Sequence, residues 1–117
     1  MIETGYFGGL QRGLYPETDK LVCVSRKYPW FVKKDKMTHL DELSPSQALL
    51  DIWKSGRISW KEYEHQYREE MRRSYAQCFI GHLKQPSDSV YRLMCWEKEP
   101  PCHRFILKDI ILGSKQS

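Results

Sequence analysis

The residues with the widest range of chemistry lie close together near the carboxyl end of the chain. Cys95, Glu97, Cys102 and His103 occupy one short stretch of the sequence. A thiol, a carboxylate and an imidazole are the groups that act as nucleophile, general acid or general base in hydrolysis and group transfer. We therefore take Cys102 as a candidate nucleophile, His103 as a candidate base or hydrogen-bond donor, and Glu97 as a third candidate catalytic residue.

The pattern around these residues predicts a strand, a polar turn and a helix. Residues 90–96 are β-prone, Pro100-Pro101 follows, and a helix is expected from about Cys102 to Leu112 with Gly113 as its stop signal. A helix N-terminus at the carboxyl ends of parallel strands is an anion site. The same position lowers the pKa of a thiol. Neighbouring residues on a helix do not face each other, so Cys95 is a better expected neighbour of Cys102 than His103 is.

Two arginines extend this prediction to an anion-binding cleft. A cation in the first turn of a helix is electrostatically unfavourable, so Arg104 needs a partner such as a bound anion, Glu97 or Glu99. Arg26 leaves the second predicted strand at the same edge of the sheet. We therefore predict that Arg26 and Arg104 point into one cleft with Cys102, where guanidinium groups suit phosphates and carboxylates.

The same residues can also have purely structural roles. Cys95 can be a small core residue and Trp96 a packing ring, while Cys102 and His103 can simply cap or fill the start of the helix. Arg104 can form a structural salt bridge. Cys23 and Cys78 are expected to pack in the interior. A thiol redox role for Cys95 and Cys102 is a further alternative.

Zinc binding is a further alternative for this segment. Cys95, Cys102 and His103 are suitable ligand types, but the sequence has no paired C-x-x-C, and His39, His65 or His82 would have to complete the set. The sequence therefore predicts neither a metal site nor a cofactor.

The elements that position these residues alternate between strands and helices. Residues 2–7 predict a strand that ends at a Gly8-Gly9 turn, and residues 10–19 a short helix or an irregular crossing. Residues 21–25 are a continuous β-prone run, typical of a buried strand. Residues 27–43 predict a long loop that can act as a lid, with room for a fourth strand within residues 30–40.

Two capping patterns predict helices in the middle of the chain. Ser44 is the expected N-cap of the first, which ends near Ser55. Ser59 is the expected N-cap of the second, which runs to about Gly81. Its apolar stripe is predicted to be core, with ion pairs on the outer side. The stripe consists of Trp60, Tyr63, Tyr67 and Met71, and the expected pairs are Glu64 with Arg68 and Glu69 with Arg73.

Together these elements predict an α/β fold: three layers, with a small, mainly parallel sheet flanked by helices. The length of 117 residues suits one domain over residues 1–117, and the apolar content of 40% excludes a disordered chain. No apolar run reaches membrane-spanning length and no signal peptide is recognised, so we expect a cytoplasmic protein with reduced thiols. The net charge of +4 fits a protein that handles anions.

Several blocks in a fixed order resemble one known family along nearly the whole chain. They are Thr4-Gly5-Tyr6-Phe7, Ser25-Arg26 with Pro29, Leu43-Ser-Pro45-Ser with Leu49-Leu50, Lys54-Ser-Gly56-Arg-Ile58 before Tyr63 and Tyr67, and Leu93-Met-Cys95-Trp-Glu97 leading to Cys102-His103-Arg104. The chain thereby resembles the domain of unknown function 488 family. The resemblance implies a compact α/β domain with a cluster of Ser25, Arg26, Glu97, Cys102, His103 and Arg104.

The leading functional expectation is recognition of an anionic small molecule, such as a nucleotide or nucleoside phosphate, with hydrolase or transferase chemistry as an option. Tyr6 and Trp96 are candidates to stack on a base. The expected ligand-binding residues are Thr4, Tyr6, Ser25, Arg26, Cys95, Trp96 and Arg104. The alternative is a non-catalytic binding or regulatory module that sequesters a nucleotide or binds nucleic acid through Lys33, Lys34, Lys36 and residues 68–73. The mixed charges of the helix favour an ordinary solvated face there.

Overall fold

The computed structural model describes residues 1–113 and contains a four-stranded parallel sheet at its centre. The strands are β1 (Ile2–Tyr6), β2 (Lys20–Cys23), β3 (Thr38–His39) and β4 (Tyr91–Cys95). Their spatial order is β1, β4, β2, β3, and every pairing is parallel. The predicted α/β class and the predicted parallel pairing of β2 with β4 are therefore confirmed. The short β3 is the fourth strand expected within residues 30–40.

The connections between parallel strands are crossovers, and they carry most of the helices. The helices are α1 (Phe7–Gln11), α2 (Gln47–Lys54), α3 (Trp60–Glu70), α4 (Ser74–Leu83) and α5 (His103–Leu112). A single 3-10 turn, Asp41–Leu43, precedes α2. Within residues 1–113 no helix has the length and apolar character needed to cross a membrane.

The sheet packs a core on each of its faces, because successive side chains of a strand point to opposite sides. Val22 and Val24 belong to the larger core, under α2 to α5, whereas Cys23 belongs to the smaller one, under α1 and residues 28–37. In β4, Leu93 faces the larger core and Met94 the smaller one. By the same alternation Cys95 points to the side of the larger helical layer.

The register of the central strand brings three strand ends to one edge of the sheet. Cys95 pairs with Tyr6 of β1, and Met94 pairs with Cys23 of β2. The residues that follow β2 and β4 therefore emerge side by side. This edge is where the sequence places its candidate chemistry.

The glycine pair after β1 has a different role from the predicted turn. Gly8 and Gly9 lie inside α1, not in a turn between β1 and the next segment. A Cβ on Gly9 would lie 2.7 Å from the hydroxyl of Tyr15 and 2.9 Å from the ring of Tyr6. The glycines are therefore needed because two tyrosine rings pack directly against the helix backbone.

The start of α2 also differs from the prediction, because the Ser-Pro-Ser sequence offers two candidate caps. Ser46 is the N-cap: its Oγ accepts a hydrogen bond from the Leu49 N–H at 3.1 Å. Ser44 instead donates its hydroxyl proton to the carbonyl of Asp41. A residue of another helix also holds Ser46 in place: the Ser46 N–H donates to the Glu70 carboxylate of α3 at 2.8 Å.

The predicted long helix to Gly81 is two helices, α3 and α4. The break is stabilised because the Gln77 side chain donates to the free carbonyl of Met71 at 2.7 Å. Arg73 is extended at this break, so Glu69 pairs with Arg72 and not, as predicted, with Arg73. The other predicted pair, Glu64 with Arg68, and the N-cap at Ser59 are confirmed.

Replacing Ser46 by alanine should destabilise the fold, since it removes the cap of α2 and a contact with Glu70. We expect the free energy of unfolding to fall by about 1–2 kcal/mol, measured by urea denaturation. Ser46→Thr keeps the hydroxyl and should lose much less. An equal loss in both variants would contradict the capping assignment.

Candidate functional site

A cavity of about 630 Å³ opens at the carboxyl edge of the sheet, between the ends of β2 and β4 and the starts of α2, α3 and α5. Its walls come from four separate parts of the chain. The lining residues are Ser25, Arg26, Lys27, Pro45, Gln47, Leu50, Trp53, Lys54, Trp60, Tyr63, Cys95, Trp96, Glu97, Pro101, Cys102 and His103. Most of the residues predicted for the site are therefore brought together.

The inner end of the cavity is a compact group of side chains that we call the thiol cluster: Cys95, Glu97, Cys102 and His103. One Glu97 carboxylate oxygen lies 3.0 Å from the Cys95 sulfur and 3.4 Å from the Cys102 sulfur. The His103 Nδ1 lies 4.0 Å from the first sulfur and 3.7 Å from the second. Both thiols and the imidazole are buried, while the Glu97 side chain keeps solvent access on its outer side.

The orientation of the His103 ring follows from its other nitrogen. Nε2 lies 2.6 Å from the carbonyl oxygen of Val24, the residue next after β2. A carbonyl oxygen only accepts hydrogen bonds, so Nε2 carries a proton. Nδ1 is on the side of the two sulfurs. In the charged ring it donates a hydrogen bond there, and in the neutral ring it presents a free lone pair there.

The two thiols have opposite protonation tendencies. A hydrogen bond from Cys95 lowers the pKa of Cys102 to about 5, with a hydrogen bond and positive charge from His103 outweighing burial. The same sulfur–sulfur hydrogen bond raises the pKa of Cys95, and burial and the negative charges of Cys102 and Glu97 raise it further. The pKa of Cys95 is therefore above that of an ordinary thiol, and the pKa of Cys102 is below it.

Glu97 is ionised in this arrangement. Burial raises its pKa, but hydrogen bonds from Cys95, from its own backbone and from Cys102 outweigh that effect and lower the pKa overall. The cluster thus combines two thiols, one of them with a lowered pKa, with a carboxylate and an imidazole within contact distance. This combination can attack an electrophile, move a proton or bind a soft metal ion.

Arg104 does not join the cavity, so the predicted shared cleft of Arg26 and Arg104 is wrong. Its side chain is only 2% exposed, and its terminal nitrogens donate to the carbonyls of Glu97 and Lys98. Among the described residues its Nε has no hydrogen-bond partner. The guanidinium therefore holds the turn after β4, which carries the Glu97 side chain.

The cavity has an aromatic wall that the sequence pattern did not assign to it. Trp60 stacks on Tyr63 at 4.6 Å, and Trp53 meets Trp60 edge-on at 5.3 Å. The stripe that begins at Trp60 was predicted as core, and Tyr63 is indeed buried. The sequence does place Trp53 and Trp60 close to the predicted boundaries of two helices. That pattern alone does not distinguish a cavity wall from a core.

Cations surround the outer part of the cavity. Arg26 and Lys27 follow β2, and Lys54 comes from the end of α2. Glu97 is the one carboxylate among the lining residues. The Ser25 hydroxyl, a predicted ligand group, donates to the Lys27 carbonyl at 2.7 Å and shapes this turn.

Three residues on or next to β1 and β4 were predicted to contact the ligand through a ring or a hydroxyl group, and only one of them lines the cavity. Trp96 lines the cavity, with its ring edge-on to Phe7 and its indole N–H donating to the Lys27 carbonyl. Thr4 and Tyr6 are not among the residues that line this cavity, so their ligand contacts stay predictions. The Tyr6 ring packs against the glycines of α1. Tyr6 itself is the last residue of β1.

The two remaining cysteines are outside the cluster. Cys23 is buried as predicted, and burial raises the pKa of its thiol. Cys78 is exposed on α4, so its predicted packing role is wrong. All four cysteines are free thiols.

Comparison with protein families gives one match, to a family model described as the active DUF488-N3 subclade, over residues 11–115. The match covers nearly the whole chain and includes every residue of the thiol cluster. Comparison with curated proteins and with solved structures found no match.

Alkylation of Cys102 should depend on pH differently from that of an ordinary thiol. Because the thiolate is the reacting form, its rate with iodoacetamide should rise with a midpoint near pH 5 and then stay level above that pH. A free thiol has its midpoint at about 8.5. Peptide mass spectrometry across pH, in reductant-free buffer with a chelator, measures the rate at each cysteine.

A pair of substitutions at Cys95 provides the control. Cys95→Ala removes the donor and should raise the Cys102 midpoint, whereas Cys95→Ser keeps a hydroxyl donor and should raise it less. N-acetylcysteine in the same buffer reports the ordinary profile. A wild-type Cys102 midpoint equal to that of N-acetylcysteine would show that the thiol is not activated.

Proposed function

This chain belongs to the domain of unknown function 488 family, and we propose that it binds a small anionic ligand with a flat ring, of the nucleotide or nucleoside phosphate class, and acts on it as a hydrolase or transferase. The observation that carries the proposal is a single cavity with cations outside, aromatic rings along one wall and the thiol cluster at its inner end.

The size and charge of the cavity support a small anion. Its volume of about 630 Å³ lies within the range of about 300–1,000 Å³ found for small-molecule sites. Arg26, Lys27 and Lys54 line it against one carboxylate. An Arg guanidinium contacts phosphate through two parallel hydrogen bonds, which suits this class of ligand.

The aromatic residues support a ligand with a ring. Trp96 is 43% exposed and borders the cavity, so one edge of its indole is accessible from the cavity side. Trp53 on α2 and Trp60 on α3 also line the cavity. Stacking of a base on an aromatic side chain contributes about 1–3 kcal/mol, which is enough to select a nucleoside phosphate over inorganic phosphate.

The thiol cluster supports chemistry at the inner end. Cys102 is the candidate nucleophile, and Glu97 and His103 are the candidate proton-transfer groups, each within contact distance of its sulfur. The description of the matched family as active agrees with a catalytic role. A ligand held by its phosphate at Arg26 and Lys27 would have its other end directed toward this cluster.

Binding of nucleoside 5′-monophosphates should depend on Arg26. We expect Arg26→Ala to weaken affinity by about 10–100-fold, because a charge-assisted hydrogen bond is lost. Isothermal titration calorimetry with a panel of nucleoside monophosphates, the unphosphorylated nucleosides and inorganic phosphate measures this. The nucleoside monophosphates should bind more tightly than either part alone.

The matched control is Arg72→Ala, since Arg72 is an exposed arginine that pairs with Glu69 on the outer side of the domain. It should leave affinity unchanged. Equal affinities in wild type and Arg26→Ala, or no binding by any member of the panel, would overturn the proposal.

A second candidate function, binding of single-stranded nucleic acid, is favoured by one observation. Trp30 is 87% exposed in the loop between β2 and β3, with the exposed lysines Lys33, Lys34 and Lys36 beside it in sequence. Exposed rings next to cations are the usual stacking surface for single strands. The other predicted basic region is weaker, because Arg68 and Arg72 already pair with carboxylates.

Trp30→Ala separates the two candidates. For a nucleic-acid function, oligonucleotide affinity should fall steeply with salt and drop further in Trp30→Ala, measured by fluorescence anisotropy. Trp53→Ala, in the cavity wall, should leave it unchanged. Salt-independent binding, or equal binding by Trp30→Ala, would rule this function out.

A further inference from the structure

We propose that Cys95, Cys102 and His103 bind a zinc ion through their two sulfurs and Nδ1, with a fourth coordination position open to the cavity. The proposal goes beyond the ligand proposed above, because it concerns the metal alone. In the zinc-bound form Cys102 is a metal ligand, and its role as a nucleophile belongs to the metal-free form. It differs from the expectation drawn from the sequence, which predicted no metal site.

The distances between the three ligand atoms fit a tetrahedral zinc centre. With Zn–S at about 2.3 Å and Zn–N at about 2.0–2.1 Å, tetrahedral angles place sulfur and nitrogen about 3.6 Å apart. The Nδ1 atom of His103 lies 3.7 Å from the Cys102 sulfur and 4.0 Å from the Cys95 sulfur. All three ligand atoms lie within 4.8 Å of one another, which is close enough for one ion to be shared among them.

The hydrogen bond of His103 is the arrangement that a metal-binding imidazole needs. Metal-bound histidines almost always donate their second ring N–H to a carbonyl or carboxylate, which fixes the tautomer and aims the lone pair. Here Nε2 donates to the Val24 carbonyl at 2.6 Å. The free Nδ1 lone pair is thereby held on the side of both sulfurs, where the ion would lie.

The charge of the site also fits a divalent cation. Two thiolates and one neutral imidazole carry two negative charges, which Zn²⁺ neutralises. Cys95, Cys102 and His103 are all at most 5% exposed, and burying a neutral centre costs far less than burying uncompensated thiolates. A Cys₂His set with soft sulfur ligands selects zinc over hard cations such as Mg²⁺.

The fourth position belongs to the cavity. Each of the three ligand residues lines it, and so does Glu97, whose Oε2 lies 3.0 and 3.4 Å from the two sulfurs. Catalytic zinc sites use three protein ligands and leave the fourth position to water or substrate, whereas structural sites are closed. Glu97 is placed beside that position as a hydrogen-bond acceptor.

Zinc titration of the reduced, chelator-stripped full chain tests the site with the metal alone. We expect one zinc ion per chain by isothermal titration calorimetry. Cobalt in place of zinc should give the absorption spectrum of a tetrahedral centre with thiolate ligands. Both readouts are independent of any organic ligand, so a failure of the nucleotide proposal leaves this test intact, and the reverse also holds.

Single substitutions identify the ligands. Cys95→Ser and Cys102→Ser should each weaken zinc affinity by at least about 100-fold, since loss of an outer-shell partner alone costs 10–100-fold. Cys78→Ser, an exposed cysteine outside the cluster, is the matched control and should bind as wild type does. Circular dichroism of each variant confirms that it is folded.

Protection from alkylation keeps the proposal testable if a variant fails to fold. In the wild-type chain, bound zinc should block iodoacetamide at Cys102 while Cys78 continues to react. Unchanged alkylation of Cys102 in the presence of zinc would overturn the proposal. So would zinc binding of wild-type strength in Cys95→Ser or Cys102→Ser.

Discussion

The hydrogen bond between His103 and the Val24 carbonyl is the contact on which the site depends. It joins the first residue of α5 to the residue that follows β2, although the two are far apart in sequence. It fixes the start of α5 at the carboxyl edge of the sheet, so that Cys102, its N-cap, meets Cys95 at the end of β4. It also assigns the proton to Nε2 and leaves Nδ1 to the sulfurs. Fold and chemistry are therefore set by the same bond.

The charged groups of the cavity lie in separate parts of its lining. The inner end holds Glu97 and the sulfur of Cys102, and the pKa values of both groups are lowered. Arg26, Lys27 and Lys54 lie in other parts of the lining, on the turn after β2 and on α2. In the binding mode that we propose, the phosphate would lie next to these cations and the uncharged part of the ligand next to the sulfurs. A zinc ion at the inner end would permit an oxygen there.

The sequence predicted the framework well, because strand and helix signals are local. Strand–helix alternation is enough for the parallel sheet, and Gly113, at φ +72°, ends α5 as predicted. Local signals were insufficient where two of them compete. Ser44 and Ser46 are equally good caps, and Ser46 is selected by Glu70, a residue of a different helix. The break between α3 and α4 likewise depends on Gln77, which has no role until the chain is folded.

The sequence predicted which residue types form the site but not how they are arranged, and Arg104 shows why. The sequence correctly indicated that a cation in the first turn of α5 needs an acceptor, and it offered a ligand or a glutamate side chain. The acceptors are backbone carbonyls, which every residue has and no sequence pattern marks. With its guanidinium bound to the carbonyls of Glu97 and Lys98, Arg104 stabilises the turn that carries the Glu97 side chain. Under the function proposed above, the buried arginine therefore has a structural role, and the exposed cations after β2 are the ones that would contact the anion.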